Sequence, residues 1–125
     1  MTSKTIMICE DNRHLRHTIA TLLKQEGHTV YEFETADRAL ALCEHLLETI
    51  DVLLTDVEMP GTNGLDFARS LKAKCPDISV LVMSGHTVEK ELVEQVEATF
   101  FQKPFYYPDL LKGILSAQSF ALQLF

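Results

Sequence analysis

Five short apolar runs, at residues 5–9, 29–33, 52–55, 78–83 and 99–101, alternate with stretches whose apolar residues recur at helical spacing. This repeated switch between strand and helix periods narrows the available folds more than any other feature. The first, third and fourth runs are almost continuously apolar, as parallel strands covered by helices on both faces must be. The second run, Thr29, Val30, Tyr31, Glu32 and Phe33, alternates and suits a sheet edge. Between the runs lie five helical stripes. Leu15, Ile19, Leu22 and Leu23 form the first, with Gly27 as its stop; Leu40, Cys43, Leu46 and Leu47 form the second. Leu65, Ala68 and Leu71 follow, ended by Pro76, then a shorter stripe of Val88, Leu92, Val93 and Val96, and finally Leu111, Ile114 and Leu115. With short connections and no linker or repeat, the 125 residues are expected to form one domain over residues 1–125. Its fold class is α/β, a doubly wound parallel sheet of five strands with about five helices.

Composition removes several classes of function. A net charge of -7, with the 11 Lys and Arg scattered along the chain, leaves little for a nucleic-acid backbone to attract, so direct DNA or RNA binding is not expected. No apolar run approaches the ~18 residues of a membrane span, and Met1 to Lys4 leads into the first strand without a secretory signal, so a cytoplasmic location is expected. Cys9, Cys43 and Cys75 are odd in number, far apart and set among apolar residues; they read as reduced core thiols, not as a disulfide framework or metal knuckle.

In open parallel sheets, ligands bind beyond the carboxyl ends of the strands. There the first run ends in Glu10 and Asp11, the third in Asp56, the fourth in Ser84 and the fifth in Lys103 and Pro104. Three clustered carboxylates repel one another unless a cation sits among them, and hard oxygen ligands suit magnesium. A lysine in the same pocket adds positive charge, and a serine hydroxyl adds a hydrogen-bond donor for an oxyanion. Together they describe a phosphoryl-transfer site, where positioning and charge neutralisation carry most of the catalysis.

The acid pair Glu10 and Asp11, the segment from Leu53 to Gly61 with Asn63, Gly64 and Leu65 behind it, Met83 to His86, and Lys103, Pro104 and Phe105 resemble the receiver domains of bacterial two-component response regulators, of the chemotaxis-regulator kind. The resemblance covers nearly the whole chain and implies a flavodoxin-like sheet of order 2-1-3-4-5. It implies that Asp56 is the phosphoacceptor, attacking a phosphohistidine of a sensor histidine kinase or phosphotransfer protein, and that the domain catalyses its own phosphorylation and slow dephosphorylation. Mg2+ would be held by Asp11, Asp56 and the backbone carbonyl of Glu58, with Glu10 acting mainly through water. Lys103 would pair with a phosphoryl oxygen, across a cis Lys103–Pro104 bond. Ser84 and Phe100 match the family's switch pair, in which the hydroxyl moves to the phosphoryl group and the aromatic ring follows.

Plainer readings stand beside these. Asp56 and the Glu10–Asp11 pair could act as turn or helix-cap residues, Lys103 as a solvated lysine, and Phe100 as core. His14 and His17 lack a third ligand and read as exposed; His86 reads as a solvated loop histidine, and the Glu58 side chain as a group that helps or blocks hydrolysis. A pseudo-receiver that docks without phosphate is the competing function, and it predicts a damaged acidic set or a missing lysine. A cofactor binder or small hydrolase would need a glycine-rich phosphate loop or a second aspartate where Glu58 stands. Two departures from the family bear on partners. The stretch from Ser84 to Lys103 is short, which alters the signalling face of the fourth helix, fifth strand and fifth helix, where homodimers form. The C-terminus is also apolar: Leu122 and Phe125 continue the face of Leu111, Ile114 and Leu115, while Phe120 and Leu124 fall off it, leaving an apolar end for a partner or second copy.

Overall fold

A computed structural model describes residues 3–42 and 44–116. The elements run β1 (Thr5–Cys9), α1 (Arg13–Gln25), β2 (Thr29–Phe33), α2 (Ala36–Leu42), α3 (Glu44–Glu48), β3 (Val52–Asp56), α4 (Gly64–Lys74), β4 (Ser79–Ser84), α5 (Lys90–Gln95), β5 (Thr99–Gln102) and α6 (Tyr107–Ser116). The five strands form one parallel sheet of order β2-β1-β3-β4-β5, the flavodoxin-like arrangement.

Alternation along the strands builds a core on each face. Met7, Cys9, Leu53, Val80 and Val82 pack with Phe67, Ala68 and Leu71 of α4, whereas Ile6, Ile8, Val52, Leu54, Leu81 and Met83 pack with α1 and α6 through Ile19, Leu23, Leu110 and Ile114. With both faces covered, β1, β3 and β4 are apolar along their middles and carry polar residues only at their ends, and the half-exposed β2 and β5 form the edges. Burial pushes the Cys9 thiol up to about 12, so it stays an inert, protonated core group. No helix among the described residues is long and apolar enough to cross a membrane.

The second expected helix is described as α2 and α3, the helical residues on either side of position 43. Cys43 itself, and the apolar residues Phe120, Leu122, Leu124 and Phe125, lie outside the described residues. The strand ends also reach further than hydropathy suggests: Asp56 pairs with Met83 and Ser84 with Gln102, because backbone pairing continues past the last apolar side chain. Helix α1 is capped by Asn12, whose side chain accepts the Leu15 N–H at 3.1 Å, and α4 by Asn63, which accepts from Leu65 at 2.7 Å. Neither the Glu10–Asp11 pair nor Asp56 caps a helix.

The short fourth stripe becomes the six-residue α5, none of whose residues is buried; Val96 behind it is. The turn out of α5 holds Glu97 at φ 52°, a left-handed conformation that crowds an L side chain. Its N–H reaches the Glu94 carbonyl at 3.0 Å, as a residue just past a helix end commonly does. Glu97→Gly is therefore expected to raise stability by about 0.5–1 kcal/mol, the removed strain exceeding the chain entropy that glycine adds. Urea unfolding checks this, and an unchanged or lower midpoint contradicts it.

Candidate functional site

The carboxyl ends of β1, β3, β4 and β5 bring the sequence-identified residues to one edge. Glu10 follows β1 and is fully buried, its N–H bonded to the Phe33 carbonyl at 3.0 Å. Asp56 closes β3 at 4% exposure, Ser84 closes β4 fully buried, and the Lys103 N–H bonds the Ser84 carbonyl at 2.7 Å across to the β5 side. The Lys103–Pro104 peptide is cis, as the resemblance implied.

Lys103 organises the charges. Its Nζ donates to Asp56 Oδ2 at 2.9 Å and to Glu10 Oε1. Glu10 is also bound by the Asn12 N–H, which meets Oε2 at 3.0 Å. Burial nevertheless pushes Glu10 up to about 7, helped by its acidic neighbours Asp11 and Asp56, against the lowering effect of Asn12 and Lys103. For Lys103, burial favours loss of its proton, but the two carboxylates outweigh this and hold it above its ordinary value, fully charged. Oxygens of Glu10, Asp11 and Asp56 lie within 4.8 Å of one another, with Asp11 exposed at the mouth. This is an all-oxygen set facing solvent on one side, the donor chemistry a hard divalent cation takes.

The backbone around Asp56 is tightly set. The Glu58 N–H donates to Asp56 Oδ1 at 3.3 Å and the Thr55 hydroxyl to the Asp56 carbonyl at 2.9 Å. Gly64 lies against that same carbonyl: a Cβ there would stand 1.9 Å from the oxygen, so no side chain fits. The Glu58 side chain crosses to β4, where Ser84 Oγ donates to its Oε1 at 2.5 Å, and the His86 N–H donates to Ser84 Oγ at 3.0 Å. Phe100 pairs with Val82 in the ladder, two residues before Ser84, and is half-buried against the core on the α4 and α5 side. His14 and His17 are exposed, His17 only 3.9 Å from Glu32. Glu10, Asp11, Asp56, Ser84 and Lys103 are thus brought together, while the Glu58 side chain faces the serine.

Three supporting residues escaped the sequence reading. Asn12 binds Glu10 and caps α1; Arg16 Nη1 holds the Glu10 carbonyl at 2.8 Å. Asp37 of α2 accepts from the Thr62 hydroxyl at 2.5 Å and N–H at 3.4 Å, pinning the loop behind Asp56. Gly61, at φ 82°, lies so close to Asp37 that a Cβ would meet its carboxylate at 2.0 Å. The Gly61 in the loop motif was the one available signal for that close approach.

Residues 6–115 match the family model described as response regulator receiver domain. Among curated relatives, a cyclic di-GMP phosphodiesterase of Thermotoga maritima is 33% identical over 80% of this chain and 27% of its own length. The DNA-binding transcriptional regulator NtrC of Azospirillum brasilense is 31% identical over 91% of this chain and 24% of its own. The chain therefore spans about a quarter of each of these relatives. Among solved structures, a response regulator receiver domain protein of Clostridium thermocellum superimposes with a TM-score of 0.80 at 26% identity, covering 91% of this chain and 93% of that one. Sheet order, site geometry and sequence similarity agree: the chain belongs to the response regulator receiver domain family of two-component signalling.

Proposed function

We propose that this chain is a phosphorylation-dependent switch of a two-component phosphorelay that accepts a phosphoryl group on Asp56 from a sensor histidine kinase or phosphotransfer protein and acts in the cytoplasm. The observation that carries the reading is Lys103 Nζ held between Asp56 and Glu10, with Asp11 alongside, at the carboxyl edge of the sheet. Receiver domains work with such kinases and relay proteins and generally depend on Mg2+.

Asp56 offers a carboxylate oxygen as nucleophile, and its hydrogen bonds from Lys103 and the Glu58 N–H fix which way that carboxylate faces. Attack on phosphorus forms the aspartyl phosphate bond and breaks the bond to the donor nitrogen, which leaves with the electron pair. Lys103, held protonated by the two carboxylates, would pair with a phosphoryl oxygen. Asp11, Asp56 and the Glu58 carbonyl would hold Mg2+, with Glu10 supporting through water; when bound, the ion neutralises charge on the acids and the phosphoryl group. Ser84 would then bond a phosphoryl oxygen, and Phe100, on the same face of the sheet, would repack toward the vacated space. Phe100 has no hydroxyl, so its two positions differ in packing alone. The surface that changes is that of α5, β5 and α6, a candidate homodimer face.

The test is incubation with acetyl phosphate and magnesium, followed by intact mass measurement. One added phosphoryl group that requires magnesium supports the switch. No adduct, together with no binding of beryllofluoride, overturns it in favour of a docking module that works without phosphate.

A further inference from the structure

Ser84 is fully buried, and its hydroxyl is already engaged at both ends: it donates to Glu58 Oε1 at 2.5 Å and accepts from the His86 N–H at 3.0 Å. A hydroxyl has a single proton to give. Any phosphoryl oxygen on Asp56 that recruits Ser84 as a donor must take that proton from the Glu58 carboxylate. The Glu58 backbone is itself tied to the acceptor, through its N–H on Asp56 Oδ1 at 3.3 Å. One residue therefore touches the phosphorylation site with its main chain and the switch serine with its side chain. Glu58 is an exposed residue, so its carboxylate has solvent to move into once displaced, and the negative charge of a phosphoryl group pushes it in that direction.

We infer that the Glu58 side chain is a positioning residue that latches Ser84 in the unphosphorylated arrangement and must release it when the switch is thrown. The inference rests on Asp56 being the phosphoryl site. The latch joins two loops: residue 58 follows β3, and His86, hydrogen-bonded to the same oxygen of Ser84, follows β4. Release at Glu58 thereby frees the start of the segment that leads into α5. A ligand that binds only the released state has its Kd raised by the inverse of the fraction of molecules released. A hydrogen bond to a charged acceptor, discounted because Glu58 is exposed, corresponds to about three- to tenfold in that equilibrium.

The test uses the full chain with magnesium and beryllofluoride as the phosphoryl mimic, comparing wild type, Glu58→Ala, Glu58→Gln, Ser84→Ala and the double variant Glu58→Ala with Ser84→Ala. Glu58→Ala is expected to bind the mimic about three- to tenfold more tightly than wild type, and Glu58→Gln, which keeps an acceptor oxygen, by a smaller factor. In the Ser84→Ala background the same Glu58→Ala change should give no gain, since no serine remains to be latched. A second readout needs no ligand: in the magnesium-free protein, Glu58→Ala should move the His86 amide resonance toward its position in beryllofluoride-bound wild type. An equal gain in both backgrounds would show that the carboxylate acts through charge alone and overturn the latch, as would no gain or an unmoved His86 amide. Wild type that binds no beryllofluoride at all defeats the Asp56 reading first, and the latch with it.

Discussion

Asp56→Asn is expected to abolish the magnesium-dependent phosphoryl adduct while leaving the fold intact. The amide has the shape of the carboxylate, so a residue of 4% exposure sandwiched between the Gly64 backbone and Lys103 is replaced without creating a cavity. What the amide lacks is the anionic oxygen that attacks phosphorus, and no partial activity compensates for that loss. Metal-free stability should stay within about 1 kcal/mol, because the weakened pair with Lys103 is offset by relief of repulsion among Glu10, Asp11 and residue 56. Magnesium affinity should drop by about tenfold or more with one of three carboxylates gone. Intact mass, magnesium titration and urea unfolding read these separately. An adduct of undiminished yield on the asparagine variant would move the acceptor to another residue and refute the assignment.

The residues of the candidate site were legible in the sequence because each stands where an apolar run stops. Parallel strands buried on both faces leave no room for Glu10, Asp56 or Ser84 except at their ends, so hydropathy alone delivers them to one edge. The side-chain partnerships were not legible. Ser84 and Glu58 are 26 positions apart and Thr62 and Asp37 are 25 apart; only the sheet order sets them face to face. The cap of α1 illustrates the same limit at short range. Asp11 and Asn12 both suit a cap, and it is Asn12 whose side chain accepts the Leu15 N–H, while Glu10 before them is held by Lys103, 93 positions away.

Replacing Lys103 by methionine should produce the other large effect, and its dependence on pH separates electrostatics from packing. Methionine fills similar volume, so the expected loss of about 2–3 kcal/mol in metal-free stability near pH 8 comes from leaving the buried carboxylates of Glu10 and Asp56 without their cation, with allowance made for the lysine's partial exposure. Glu10 is already raised from 4.5 to about 7 by burial in the wild type, against the pull of Lys103, and losing the lysine raises it further. A carboxylate raised in the folded state contributes stability that is fully present below about 4.5 and lost as pH climbs through the folded value. The wild type should thus lose some metal-free stability between 4.5 and about 7. In Lys103→Met that decline should extend to higher pH and so be larger in total, and the deficit at pH 8 shrinks on acidification as Glu10 takes up a proton. Magnesium should restore part of the loss by supplying positive charge to the same oxygens, yet phosphoryl transfer should remain slowed about a hundredfold or more, because the donor aimed at the phosphoryl oxygen is missing. Urea unfolding at pH 5.5 and 8, with and without magnesium, reads the first effect and adduct formation over time reads the second. A deficit equal at both pH values would mean that Lys103 contributes by packing and not by charge.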